Sequence, residues 1–475
     1  MNRHGFRMSY VLLRFATMFR CIQKVLLDTR PSKKITLVCC GLFCCLLSLP
    51  LSACVGEDAM EKLTEANLRR MRDVIHRYQT ERNPPPPSGP LLTVRANLHV
   101  HSELSHDSRG KIDNIVAAAK RAKTQVLMFT EHPSQEKDFF LDGHQGIIDG
   151  VLCIPGAEMK GMLVYPTLSL TPFATAESQE LTSIVRGRGG HVFLSHLEER
   201  MDWQIAGLTG TEIYNTHADF KKQINLIKAM KNPLWFVRIA SLLKDYPQEV
   251  FSALHSYPDD YLRRYDELCQ LHPHTGVAAN DAHENIGVQL RIGADGTSIV
   301  VVDALEEELV KLPRIGMEAL LNVPANAVAG DTIFKVQMDP YEYSLRHAGT
   351  YLLVEKLSQP AVWNALENGR TFVAFDWLAD AQGFTLAALQ QTGSGENRHE
   401  IGSQVALAKG PIHLAGKSPL PAKWILKRNG VTAESSTGSE CKFEIRQSGV
   451  YRVELWLDGL DSPQAWILTS PFYIE

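Results

Sequence analysis

The chain of 475 residues is poor in cysteine where cysteine would shape a fold. Cys21, Cys39, Cys40, Cys44, Cys45 and Cys54 crowd the N-terminal segment, and only Cys153, Cys269 and Cys441 follow, none in a CxxC pair. That excludes a disulfide framework and a cysteine-built zinc knuckle for the body, whose three thiols read as small buried groups. Long blocks of one charge sign are also lacking: 49 basic residues nearly balance 53 acidic ones, for a formal charge of -4. No nucleic-acid or anionic-membrane footprint is expected from such a balance. Neither a persuasive GxSxG motif nor a cysteine-centred nucleophile is present, and no internal repeat stands out. With 44% hydrophobic residues, the chain is long enough for one large, well-filled domain and a smaller one.

The N-terminus reads as an address rather than as fold. Basic residues from Arg3 to Lys34 precede an uncharged stretch, "ITLVCCGLFCCLLSLPLSAC", at 35–54. Its end, Leu51-Ser52-Ala53-Cys54, resembles the lipobox of bacterial lipoproteins, which implies lipidation at Cys54, export and a membrane anchor at the cell envelope. Met8 and Met18 are alternative starts for this long leader, and an uncleaved anchor is the competing reading. Residues 55–90 follow as a tether. Apolar residues at helical spacing from Met60 to Ile75 predict a helix over 57–82, and "NPPPPSGP" at 83–90 ends it as a stiff extended linker.

From 91 to 395 short apolar runs alternate with helical stretches, which predicts a mainly parallel α/β sheet, doubly wound or closed into a barrel. The runs "TSIVVVD", "TYLLVEK", "AVWNALENG" and "RTFVAFDWL" are candidates to complete that layer. Residues 396–475 change character. Alternation at Tyr451, Val453, Leu455 and Leu457 and a hairpin signal at Asn429-Gly430 predict a small β-sandwich-like accessory domain.

Twelve of the 17 histidines lie between His99 and His283, and their placement carries the chemistry. The apolar runs end in His99 and His101, His132, Glu158, His196, His217, and Asp281 with His283. In a parallel α/β barrel all C-terminal strand ends open on one face, so such side chains converge there. Residues two apart on a strand share a face, which applies to His99 with His101 and to Asp281 with His283. Imidazole mixed with a few carboxylates suits zinc, manganese or iron. A carboxylate bridging two such ions at about 3.5–4 Å provides a metal-bound hydroxide near neutral pH for ester hydrolysis.

The motifs "LHVHSELSHD", "TEH", "GAE", "SH", "NTH" and "NDAH", over about 94–285, together resemble the PHP (polymerase and histidinol phosphatase) superfamily of metal-dependent phosphoesterases. The resemblance implies a distorted (β/α)7 TIM-like barrel with two or three divalent metals. It places a first ion on His99, His101, Glu158 and Asp281, a second on Glu158, His196 and His217, and a third on Asp107, His132 and His283. Asp107 is taken as the ligand of the opening motif, with His106 as outer shell or substitute, and turnover is expected to depend on Glu158, Asp281 and His217. The implied activity is phosphoester hydrolysis of a small molecule. Carboxylic or carbamate ester or amide hydrolysis at the same metals is the alternative, and a non-catalytic, metal-stabilised binding lipoprotein a third reading. Beyond the ligands, Arg109 and Lys160 are candidates to steady a substrate anion. Glu131, Asn215, Asn280 and Glu212 are candidates to orient imidazoles, whereas His272 and His274 read as loop.

Overall fold

The computed structural model describes residues 62–222, 233–318, 321 and 323–475. The expected export segment, with Cys54, and the first part of the expected tether lie outside the described residues. Two compact units are present. One comprises 65–222, 246–284 and 339–475 and contains every candidate ligand beyond Cys54; the other takes in 233–245 and 285–338.

In the first unit, β1 (Leu92–Val100) pairs in parallel with β2 (Val126–Phe129), and after the three-residue β3 (Gly146–Ile148) the chain returns as β4 (Val151–Ile154), antiparallel to β3 and parallel to β2. Pro155 and Gly156 then break the run "LCIPGAEM", so that Glu158 sits on a separate short strand, β5 (Ala157–Met159). Strand β6 (Met162–Tyr165) is antiparallel both to β5 and to β7 (His191–Leu194). From β7 the parallel order resumes through β8 (Gly210–Asn215) and β9 (Thr275–Ala282) back to β1. A bridge between Glu131 and Ala157 links the ends of this series.

The expectation that four further runs complete the layer is corrected. Ser298–Asp303 forms β11 of a separate antiparallel sheet in the second unit, with β10 (Gly287–Ile292), β12 (Glu308–Pro313) and β13 (Thr332–Gln337). Gly349–Val354 (β14) pairs antiparallel with the first half of β1, and "AVWNALENG" lies in the helix Gln359–Glu367. Thr371–Ala374 (β15) joins β14 to the C-terminal strands.

Those C-terminal strands pair antiparallel except for Gln404–Val405 with Phe472–Ile474, which is parallel, and they are not a detached body. The strands are β16 (Thr385–Thr392), β17 (Gly395–Glu400), β18 (Gln404–Val405), β19 (Ile412–Arg428), β20 (Val431–Ile445), β21 (Gly449–Leu457), β22 (Gln464–Thr469) and β23 (Phe472–Ile474). β22 continues the sheet from β15, with Phe372 opposite Thr469 and Ala374 opposite Ile467, so 395/396 does not divide compact units. The 17-residue β19 pairs with β16 in its first half and β21 in its second, and its register slips where Pro419 and Pro421 withhold backbone donors. Asn429 and Gly430, at φ 50 and 82, make the two-residue turn between β19 and β20, as their sequence predicts.

The tether is docked rather than free. Helix α1 (Glu65–Glu81) buries Leu68, Met71, Val74 and Tyr78, a helical stripe. Arg72 reaches Glu249 at 2.8 Å, Tyr78 donates to the carbonyl of Asp458, and Asn83 in the proline-rich segment bonds Pro419 at 2.8 Å. Among the described residues no helix is long and apolar enough to cross a membrane.

The shared core contains Ala96, Leu98, Val126, Met128, Ile154, Leu163, Phe193 and Val277, one face of the strand series. Two buried histidines make this unit acid-sensitive. Burial lowers the pKa of His274 to about 3, helped by nearby His272 and Arg264, and lowers His191 to about 4. Both protonate near 6.5 when unfolded, so unfolding takes up protons below that pH, and stability falls as the pH falls toward 4. The loss is about 1.4 kcal/mol per pH unit for each residue. Because both ring nitrogens of His274 lack hydrogen-bond partners, His274→Leu is expected to flatten urea stability measured between pH 6.5 and 4.5. An unchanged slope would contradict this.

Candidate metal centre

Backbone irregularities, not strand alternation alone, aim the ligands. Along β1 Ala96 and Leu98 face the shared core, and strict alternation would put His99 and His101 on the other face. Instead His99 takes φ 61, and the pairing of β1 with both β2 and β9 slips between Leu98 and Val100. Val100 thereby joins Leu127, Phe129 and Ala282 under the helix Ile112–Arg121, and both histidines turn inward. His196 and Asp281 are also left-handed, at φ 45 and 50. Such conformations cost of order 1–3 kcal/mol each and cluster at functional sites, and His and Asp are among the residues that tolerate them best.

The structure brings His99, His101, Glu158 and Asp281 into one group and His101, Asp107, His132 and His283 into another, with donor atoms in each within 4.8 Å of one another. His101 belongs to both, a sharing absent from the sequence-based assignment. In the first group His99 Nε2 lies 3.3 Å from Glu158 and 3.2 Å from Asp281, and His101 Nε2 lies 3.7 Å from each. In the other, Asp107 is 3.3 Å from His132 and 3.5 Å from His283. His106 is 78% exposed, with its ring centroid 5.0 Å from that of His132, and belongs to neither group, whereas Asp107 belongs to one.

The expected second ion's residues gather differently. His196 Nε2 is 3.1 Å from Glu158 and 3.5 Å from Asp281, but His217 approaches Asp281, at 3.4 Å, and joins neither four-residue group. Asp281 therefore faces five imidazoles, those of His99, His101, His196, His217 and His283. Exposure grades from 0% for the His99 and His101 side chains to 40% for His217, so the cluster opens to solvent on the His217, Asp107 and His132 side.

The site fits a cation. The Nε2 atoms of His99 and His101 are buried without a hydrogen bond although carboxylate oxygens stand beside them. Protein–metal distances of about 2.0–2.2 Å put donors around one ion at comparable spacing. Positive charge is held there by protons: against burial, Glu158, Glu198 and Asp281 push His196 up to about 10, and Asp107 and Asp281 push His283 up to about 9. Asp107 and Asp281, despite burial, are held well below the usual carboxylate range by those imidazoles. Metal binding must displace the protons on His196 and His283. Titration of metal-free protein at pH 8 is expected to release protons from His99, His196 and His283, which the neighbouring carboxylates all raise, with affinity rising as pH rises; calorimetry in buffers of different ionisation enthalpy measures this. Proton uptake, or affinity independent of pH, would contradict it.

Of the outer candidates, Glu212 is fully buried and accepts from His99 Nδ1 at 2.8 Å, from the backbone of His196 at 2.8 Å and from Asn215 at 3.0 Å. Glu131 contacts no imidazole directly and works through Ser102 and Ser105. Asn280 does not orient an imidazole either; it ties Asn97 at 2.7 Å to the carbonyls of Ser344 and Ala348. Arg109 bonds carbonyls of its own turn and Lys160 lies 3.8 Å from Glu177, so neither is aimed at the ligands. His272 is exposed and His274 lies outside both groups. Glu198, 3.4 Å from His196 Nδ1 and bonded by Tyr261, was missed by sequence reasoning. Its position two residues after His196 is its only sequence signal.

The fold and site thus define an α/β protein with histidine and carboxylate clusters suited to metal. Residues 97–283 match the family model described as the PHP domain, a segment that contains all nine candidate ligands. No curated protein matches the chain. Among solved structures it is similar to a two-domain protein from Bacteroides vulgatus, described as containing a predicted PHP-like metal-dependent phosphoesterase. Identity is 12% over 82% of this chain and 98% of that one, with a TM-score of 0.36.

Proposed function

We propose that the protein is a metal-dependent phosphoesterase of the bacterial cell envelope, acting on a small-molecule ester and anchored by a lipid on Cys54. The observation that carries the catalytic reading is the pair of four-residue groups joined through His101 and opening toward solvent at His132 and Asp107. We read the strand series, with its antiparallel β6 and its closing bridge at Glu131, as the distorted (β/α)7 barrel. Two or three ions of zinc, manganese or iron would be held by His99, His101, Glu158 and Asp281, by Asp107, His132 and His283, and by His196 and His217 with Glu158 and Asp281. When bound, they supply Lewis acidity toward the ester oxygens and lower the pKa of water to about 7. Glu212 and Glu198 hold His99 and His196 with Nδ1 as donor, leaving Nε2 directed at the carboxylates. The half-exposed His217 and Asp107 form the rim that a substrate must pass.

The test is hydrolysis of p-nitrophenyl phosphate, bis-p-nitrophenyl phosphate and a naphthyl carbamate by metal-loaded protein. Release from a phosphate ester supports the proposal, whereas release from the carbamate alone assigns the same site to carbonyl chemistry. The anchor is tested by palmitate labelling, which is expected in the wild type and lost in Cys54→Ser; equal labelling of both, or none in either, contradicts lipidation there.

A further inference from the structure

The stretch His101-Ser102-Glu103-Leu104-Ser105 closes over a buried carboxylate that sequence reasoning could only mark as a neighbour of a ligand. Glu131 is 2% exposed and accepts three hydrogen bonds: from the backbone of Ser102 at 3.1 Å, from Ser102 Oγ at 2.6 Å and from Ser105 Oγ at 2.6 Å. A carboxylate can only accept, so each serine spends its one proton on Glu131. Ser105 Oγ then has two lone pairs left, and two donors meet them: the backbone N–H of His132 at 3.0 Å and His101 Nδ1 at 3.2 Å. His101 Nδ1 must therefore carry the proton. Its Nε2 is left as a bare lone pair in a buried position with no hydrogen bond, facing Glu158 and Asp281.

We propose that Glu131 and Ser105 form a positioning relay that fixes the tautomer of His101 and the seat of His132, and so tunes the metal group of His101, Asp107, His132 and His283. The inference rests on the metal-site reading above. The other inner histidines need no intermediary. His99 bonds Glu212, His196 bonds Glu198 and His283 bonds the Asp281 carbonyl, all through Nδ1. His101 alone has its acceptor supplied by a hydroxyl, which could donate as well as accept; Glu131 removes that freedom. Because His101 belongs to both groups while His132 belongs to one, loss of the relay falls mainly on the group that contains both.

The experiment is Mn2+ titration by calorimetry of the wild type, Ser105→Ala and Ser105→Thr, with melting temperatures of the metal-free proteins measured alongside. Outer-sphere partners of ligating histidines are typically worth 10–100-fold in metal affinity. Ser105→Ala is expected to weaken one Mn2+ equivalent by roughly that factor and another, which shares only His101, by less, and Ser105→Thr, which keeps the hydroxyl, is expected to restore both. Wild-type affinity in Ser105→Ala, or equal weakening in the Ala and Thr variants, overturns the relay while leaving the metal site standing. A wild type that binds no Mn2+, Zn2+ or Fe2+ overturns the metal-site reading and the relay with it. Nitrogen NMR of His101 in metal-free wild type gives a second test that needs no variant: protonation at Nδ1 agrees with the relay, and protonation at Nε2 overturns it.

Discussion

Asp281→Asn is expected to lower hydrolytic turnover by at least ~1000-fold, a barrier increase of about 4 kcal/mol. Asp281 is the single carboxylate that faces five imidazoles, at 3.2–3.7 Å. Removing its charge takes away the anionic centre around which one metal group is built and which His196 and His217 also face. Asn is the informative replacement because the backbone there sits at φ 50. Asn tolerates the left-handed region about as well as Asp, so the loss measured is that of charge and ligation. Asp281→Ala would add backbone strain to the same loss. Steady-state kinetics at saturating Mn2+ or Zn2+, with the melting temperature of the metal-free variant, separates the two effects. Turnover within about tenfold of wild type, with the variant folded, would remove Asp281 from the reaction.

The second large effect concerns stability. Arg452, on β21, is buried and bonds Asp266 through two nitrogens at 2.6 and 2.7 Å and Glu454 at 2.6 Å. Asp266 lies on the helix Asp259–Leu271, which directly precedes β9, so the pair ties that helix to β21. Glu454 is 1% exposed and keeps only Tyr257 and Trp456 if Arg452 is lost. Breaking a buried pair from one side costs about 3–5 kcal/mol because the remaining charge is left without its partner. Arg452→Met is therefore expected to lose about that much in urea unfolding. Adding Asp266→Leu should recover part of it, since replacing both partners by apolar groups can be near neutral. A loss below about 1 kcal/mol would mean that the pair is solvent-relaxed and does not tie the module down.

Much of the candidate site is legible in the sequence because side chains that converge on one face of such a sheet stand where strands end. His99, His101, His132, His196, Asp281 and His283 could be picked out from the polar residue closing each apolar run. What could not be read was how the backbone aims them. The bulge at His99 depends on β1 pairing with β2 and β9 at once, strands separated from it by very different lengths of chain. Sequence alternation alone would have turned both histidines outward. The same limit applies to the fold. Apolar runs such as Ser298–Asp303 and Thr371–Ala374 look like any buried strand in isolation, but the first pairs within a separate sheet and the second with β22. Only long-range pairing distinguishes them. The resemblance favours Asp107 over His106, and the physical reason is its placement beside His132 and His283. Glu198 and Ser105 escaped notice because a glutamate in a charged turn and a serine in a loop carry no pattern of their own.

The measurement that bears most directly on the account is the metal content of purified protein by mass spectrometry, wild type beside Asp281→Asn, after loading with Mn2+ or Zn2+ and removal of the excess. The account predicts two or three equivalents in the wild type, with at least one lost on replacing Asp281. Less than one equivalent in folded wild type would contradict the ligand assignment, and with it the proposed hydrolysis.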